Sequence, residues 1–416
     1  MSASPLSVLA RVTVSDNPWK GIPAFLAGAS ALAGIGLAAG GTAGVLLATE
    51  LAGTASVAGL PVALHLTGSA LGAILVSHQA ARGHRGRGLA LGLLLGAVGA
   101  AIVVLAAYQG NLLVMLVGST LLGTANASIF LIRYAAAQAV AEGSQGRALG
   151  VVFFATAFGA VASPLLLGPS SSAAQAVGLP GLSGLYLVAL GAFSCSALLL
   201  AAGSTPRIPF LGRAARVLTP GIREIRSGVR LSAALRESAT LVALSALAGA
   251  NFVMVGIMTI TPVHLTQHGA GHGAVGLLVA LHVVGMFAPA PLTGRLADRH
   301  GPVRVVLAGA VVSLAACVLG AFSEGHATPL TTAHLVLAGL GWNAGVVGAS
   351  TLLTSSVPDT LRSRVEGIGE ATMGTAAVVI APLAAVLPDA WDYSVLGLCA
   401  AALTLLALVE ARRVQN

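Results

Sequence analysis

Read for hydropathy alone, the chain is a series of long apolar runs separated by short polar breaks. A helix crosses roughly 30 Å of hydrocarbon with about 20 apolar residues. Runs of that length fall near 22–47, 59–79, 88–108, 112–138, 148–169 and 184–203. A second set falls near 239–265, 274–294, 305–323, 332–356, 367–387 and 395–411. The runs are continuous and do not alternate with a period of two, which excludes a β-barrel. Between the sets lies a polar stretch, 204–238, holding Arg207, Arg213, Arg216, Arg223, Arg226, Arg230 and Arg236. The pattern predicts an all-α polytopic membrane protein with twelve transmembrane helices. It has an N-terminal six-helix bundle over 1–203, a linker over 204–238 and a C-terminal six-helix bundle over 239–416.

Composition agrees and charge adds an orientation. The 416 residues are 56% hydrophobic and only 8% charged, against about 25% charged in soluble domains. The formal net charge of +8 would fit a nucleic-acid binder, but its placement argues otherwise. Lys and Arg fall near the N-terminus, in every second loop, in the linker and at the C-terminus, as in Arg82, Arg85, Arg87, Arg147, Arg362 and Arg364. The opposite loops carry Glu50, Glu324, Asp389 and Asp392 instead. The positive-inside rule then predicts a bacterial plasma-membrane protein with both termini and the linker in the cytoplasm. Its surroundings are the lipid bilayer, with no nucleic-acid partner. Cys195, Cys317 and Cys399 lie inside apolar runs and form no disulfide framework. The first 20 residues show no apolar core ending in a cleavage site, so no removable signal peptide is expected.

The two sets are related to each other. A shift of 217 residues brings His65 onto His282, Arg82 onto Arg299, Arg87 onto Arg304, Asn126 onto Asn343 and Arg147 onto Arg364. Parallel repeats of six spans imply two bundles about an axis along the membrane normal, with the substrate site at their interface. With Gly294-Arg-Leu-Ala-Asp298-Arg299-His-Gly301-Pro-Val-Arg304 after helix 8, the chain resembles the major facilitator superfamily over essentially its whole length. The resemblance implies the major facilitator fold, two pseudo-symmetric six-helix bundles, alternating access, usually a monomer, and a cytoplasmic gate at Gly294, Asp298, Arg299, Gly301 and Arg304. Such an Asp can accept bonds from a helix N-terminus. In the copy after helix 2, Ala81 stands where the Asp belongs, which puts gating by that loop in doubt. Gly159-Ala-Val-Ala-Ser163-Pro164 on helix 5 is similar to the signature of proton-driven antiporters, with Ser163 in place of a glycine.

Methionine is scarce, yet Met254 and Met258 are four apart on helix 7, as His282 and Met286 are on helix 8. That spacing puts each pair on one helix face. Counted from the outer ends at ~1.5 Å per residue, Met258 and His282 share one depth and Met254 and Met286 a deeper one. Neutral thioethers and imidazole select Cu(I); gap-filling is the competing role of such methionines. The pattern resembles the CcoA-like copper importers, a branch of the same superfamily, which implies a metal path through Met254, Met258, His282 and Met286. Accessory candidates are His65, His264, Asn126, Asn343, Glu370 and Met373. Glu370 either carries a proton through the cycle or is an interfacial carboxylate near Arg362 and Arg364. Asn126, Asn251 and Asn343 are read as interhelical hydrogen-bonding groups, and Arg133 as a snorkelling anchor.

No phosphate-cradling G-x-x-x-x-G-K-[ST] loop and no H-E-x-x-H occur. The reading is a secondary active transporter rather than an enzyme, with no bound cofactor. Its leading substrate is copper, imported; proton-coupled efflux of small organic molecules or drugs is the alternative.

Overall fold

A computed structural model describes residues 22–204 apart from 38, 40–42, 55–56 and 58, and residues 231–384 apart from 270–271 and 324–328. The expected span at 395–411 and the six linker arginines other than Arg236 therefore lie outside the described residues. Among those described, ten helices are long and apolar enough to cross a membrane. In lipid every backbone N–H and C=O must be satisfied within its own segment, which leaves helices as the form these runs take.

The N-terminal half comprises α1 (Ile22–Gly34), α2 (Gly44–Ala52), α3 (Leu60–Ala81), α4 (Arg85–Gln109), α5 (Leu112–Ala137), α6 (Gln145–Leu165), α7 (Leu167–Ala176) and α8 (Gly184–Gly203). One helical turn, α9 (Leu231–Ala234), precedes the C-terminal half. That half comprises α10 (Ser238–Gln267), α11 (His272–Phe287), α12 (Ala290–His300), α13 (Pro302–Ala321), α14 (Pro329–Ser356) and α15 (Asp359–Ala384).

Local chemistry sets several boundaries. Gly110, at φ 67°, closes α4 in the left-handed region that glycine tolerates, and Asn111 then caps α5 by accepting from Val114 N–H at 3.2 Å. Two boundaries differ from the hydropathy reading. Helix 8 stops at Phe287 and restarts at Ala290, because Pro289 and Pro291 cannot donate into the ladder. The gate motif is therefore largely helical, on α12, rather than a loop. Helix 11 begins at Asp359, well before the expected 367, so Arg362, Arg364 and Glu366 sit on its first turns. Hydropathy missed those turns because their charges depress the window average.

Small residues let the helices touch, and they do so twice in the same way. A Cβ on Gly123 of α5 would lie 2.0 Å from the His65 carbonyl oxygen of α3. A Cβ on Gly339 of α14 would lie 2.4 Å from the His282 carbonyl oxygen of α11. His65 and His282 are the pair matched by the 217-residue shift, so the repeat survives as a repeated helix contact. Close backbone approach of this kind is how membrane helices gain packing energy without a hydrophobic driving force between them.

Gly123→Ala puts a methyl group into backbone that cannot retreat, and overpacking of this kind costs about 1–3 kcal/mol. A clear fall in the melting temperature of the purified protein is expected. Gly191→Ala on α8, where a Cβ meets nothing within 4 Å, is expected to leave it unchanged.

Candidate functional site

The halves meet along two helix seams, α3 against α15 and α6 against α12, with further contacts of α6 and α5 onto α11, α14 and α15. No comparable packing joins α1 or α2 to the C-terminal half among the described residues. The seams lie toward the face that carries Arg82, Arg87, Arg299, Arg304 and Arg364.

At the α6–α12 seam, Asp298 caps α6. Its carboxylate accepts from the N–H groups of Gly146 at 2.8 Å and Arg147 at 2.9 Å, two donors that a helix start leaves unpaired. Glycine makes the approach feasible: a Cβ on Gly294 would lie 2.0 Å from the Gly146 carbonyl oxygen. Gly301, at φ 91°, turns the chain out of α12. Arg299 and Arg304 are exposed, and Arg304 donates to the His300 carbonyl at 3.1 Å.

The α3–α15 seam uses different chemistry. Where the N-terminal copy of the motif lacks its Asp, Arg85 at the start of α4 reaches across instead. It donates to Glu366 Oε2 at 2.7 Å and to Ser363 Oγ at 2.7 Å, while Gln138 donates to Glu366 Oε1 at 3.2 Å. Sequence reading left this seam without a gate, because the groups that hold it stand outside the motif.

One turn further from the arginine-rich face lies the central pair. Arg133 of α5 is fully buried, a correction to its reading as a snorkelling anchor. It pairs with Glu370 of α15, and its Nε donates to Ser350 Oγ of α14 at 3.1 Å. Ser350 is the residue that the 217-residue shift places on Arg133. The Tyr134 hydroxyl contacts Glu370 at 3.4 Å and Ser350 at 3.3 Å, and the guanidinium lies over the Tyr134 and Phe153 rings at 4.5 and 4.9 Å. Each guanidinium nitrogen of Arg133 and the Glu370 Oε1 thus has a partner, the condition under which a buried charge persists. Glu370 turns to Arg133 rather than to Arg362 or Arg364; Arg362 pairs with Asp359 at 2.6 Å.

Beyond this pair, four rings close the junction. Phe130 and Phe153 come from the N-terminal half, Phe287 and Trp342 from the C-terminal half, with centroids 5.6–6.3 Å apart for the contacting pairs. Trp342 Nε1 donates to Asn251 Oδ1 at 3.1 Å, and Asn251 Nδ2 donates to the Met373 carbonyl at 2.8 Å. Met373 itself is core packing.

The metal-path residues are only partly gathered. Met254 and Met286 pack into one apolar cluster with Trp342, whereas Met258 joins a different cluster with Leu278 and Leu335. Their helices, α10 and α11, barely touch, each packing instead on α14. His282 is buried, with Nδ1 2.8 Å from the Leu335 carbonyl and Nε2 without a partner among the described residues. No group of three or more His, Cys, Asp or Glu residues is placed to hold a metal among the described residues. Asn126 donates to Ser69 Oγ at 3.0 Å and Asn343 to the Met286 carbonyl at 2.6 Å. His65 leaves Nδ1 buried and unpartnered. The side chain of His264 lies outside the described residues.

A chain of membrane-crossing helices in two packed halves, joined across a polar and glycine-lined junction, is the architecture of a membrane transporter. The profile of the Major Facilitator Superfamily matches residues 256–413. The uncharacterized MFS-type transporter YddS of Bacillus subtilis (strain 168) is 31% identical over 376 residues, covering 90% of this chain and 86% of that protein. The riboflavin transporter RfnT of Brucella anthropi is 26% identical over 339 residues, covering 80% of this chain and 81% of that protein. Among solved structures, a bacterial homologue of the iron transporter ferroportin in an outward-facing state shares the fold. Its TM-score is 0.70 at 16% identity, over 94% of this chain and 98% of that one. The chain belongs to the major facilitator superfamily of membrane transporters.

Removing one partner of the central pair strands a buried charge, which costs about 3–5 kcal/mol. Arg133→Met and Glu370→Met are each expected to lower the melting temperature sharply, and the double variant to recover most of the loss. Equal destabilisation by the double variant and the sum of the singles would show the pair to be uncoupled.

Proposed function

We propose that the protein is a secondary active transporter that works by alternating access, and that the state described here is closed on its cytoplasmic side. The observation that carries this reading is the kind of contact at the junction. Asp298 on a helix N-terminus, Arg85 on Glu366 and Arg133 on Glu370 are directional and exchangeable for water; one apolar cluster around Phe153, Phe287 and Trp342 bridges the halves, and a further core lies wholly inside each half. Such contacts break and reform as bundles rock without either bundle unfolding. The arginine-rich face is taken as cytoplasmic by the positive-inside rule, in a bacterial plasma membrane with both termini on that side. The working unit is the monomer, since each chain brings both halves of the junction.

For the substrate we favour a small organic molecule coupled to protons over copper. Four aromatic rings line the junction where the halves meet, and the relative matched over four fifths of this chain is described as a riboflavin transporter. Glu370, central and shared between Arg133 and Tyr134, is the carboxylate that would take a proton when the halves part. Copper keeps one specific observation in its favour. His282 fixes Nδ1 on a backbone carbonyl and leaves a buried Nε2 lone pair, the arrangement typical of a metal-ligating imidazole. The dispersal of Met258 from Met254 and Met286 weighs against it.

Proteoliposomes carrying an imposed proton gradient decide between the substrates. Gradient-dependent movement of radiolabelled riboflavin, lost in Glu370→Gln, is expected, with no uptake of labelled copper. Copper uptake that disappears in His282→Ala and Met254→Ala would reverse the choice. Asp298→Asn keeps the side chain's size and removes its charge; it is expected to slow transport severalfold at matched protein levels, because the closed cytoplasmic state loses two charge-assisted bonds.

A further inference from the structure

Aromatic residues make up only 4% of this chain, yet four rings from four different helices converge on one point of the junction. They divide evenly between the halves. Phe130 and Phe153 contact each other at 6.2 Å within the N-terminal half, and Phe287 and Trp342 at 5.6 Å within the C-terminal half. Each pair therefore stays together when the halves separate. None of the contacting pairs is stacked face to face: the interplanar angles run from 44° to 76°. Edge-on contact seals the junction without stacking any ring face to face on another, and on the N-terminal side the Arg133 guanidinium lies over Phe130 and Phe153 at 5.8 and 4.9 Å.

A second observation adds polarity at the same place. Asn343 follows Trp342 on α14, and its Nδ2 is held by the carbonyl of Met286, the residue before Phe287. Its Oδ1 is buried and has no hydrogen-bond donor among the described residues. A buried acceptor without a donor costs free energy, and here it belongs to the residue next to Trp342 in sequence, on a side chain anchored to the residue before Phe287.

Resting on the reading of the protein as a transporter of organic solutes, we propose that Phe130, Phe153, Phe287 and Trp342 form two half-sites that clasp a planar aromatic ring system. Asn343 Oδ1 accepts from an N–H on the edge of that ring system. The rings that seal the empty junction against one another become the walls of the occupied one. Phe130 and Phe153 bind one side, Phe287 and Trp342 the other, so a flat solute is the piece that brings the halves together. An acyclic polyol of similar length offers no face to stack and gains nothing from these rings.

The test uses the full chain in detergent with Trp19→Phe and Trp391→Phe, which leaves Trp342 as its tryptophan reporter. Lumichrome, a planar tricycle bearing ring N–H groups, is titrated against ribitol, an acyclic polyol. Saturable quenching of Trp342 by lumichrome and none by ribitol is expected. Phe153→Leu and Phe287→Leu should weaken lumichrome at least tenfold, Phe153→Tyr should restore it, and Asn343→Leu should weaken it with the rings intact. Melting temperatures close to that of the parent establish that each variant is folded. Lumichrome binding that does not saturate, or that Phe153→Leu and Phe287→Leu leave unchanged, overturns the two half-sites. If such a chain still moves riboflavin under a proton gradient, the transport reading stands and the stacking platform alone has failed. Saturable, ring-dependent lumichrome binding with no gradient-driven flux supports the platform and rejects the transport reading instead.

Discussion

A full positive charge lies in the middle of this protein with no water to solvate it, and the junction is built around that fact. Arg133 is fully buried, and the guanidinium can persist there only because Glu370, Ser350, the Phe130 carbonyl and two aromatic faces surround it. The partners come from both halves of the molecule. Neither half therefore completes this site alone, and the association of the halves is tied to the pairing of one arginine. A pair of this kind contributes little net stability compared with apolar groups of the same shape. What it adds is a contact that water can replace when the halves separate, which an interdigitated apolar seam does not offer.

The two seams show how a duplicated fold departs from its own symmetry. The same step in the repeat that gives α12 its Asp298 gives α3 an alanine, Ala81, and the lost carboxylate is not replaced in kind. Polarity is inverted instead. At one seam a C-terminal acid caps an N-terminal helix, and at the other an N-terminal arginine pairs with a C-terminal acid. Both solutions satisfy charges that would otherwise be stranded at a tight glycine-lined contact. At Gly146 and Gly294 the two backbones come too close for a side chain, and Gly367 leaves the space that the Ser77 side chain fills.

The central pair also shows why polar residues in apolar runs are difficult to assign from sequence. Arg133 stands near one end of its run, where a snorkelling role is the ordinary expectation. Glu370 stands near Arg362 and Arg364 in sequence, yet its partner is 237 positions away. A signal for the pair did exist. Shifting by 217 residues places Arg133 on Ser350, so the repeat itself marks the arginine as an unmatched charge inside the membrane. For the metal path the limit was geometric. Spacing of four places Met254 with Met258 and His282 with Met286 on single helix faces, but the packing sends α10 and α11 to separate contacts on α14.

The sequence by itself determined that this is a helical membrane protein, built as two related halves, with one face rich in arginine. Those properties are sums over many residues. Hydrocarbon thickness fixes the length of each run, unsatisfied backbone groups force the helix, and each charge resists burial wherever it falls. Only the tertiary structure decided which charges meet and that four scattered rings share one junction. Those outcomes depend on the rotation and tilt of whole helices, set by where glycines allow backbones to touch. A change of one residue in register, about 100° around a helix, is enough to turn a buried partner toward lipid.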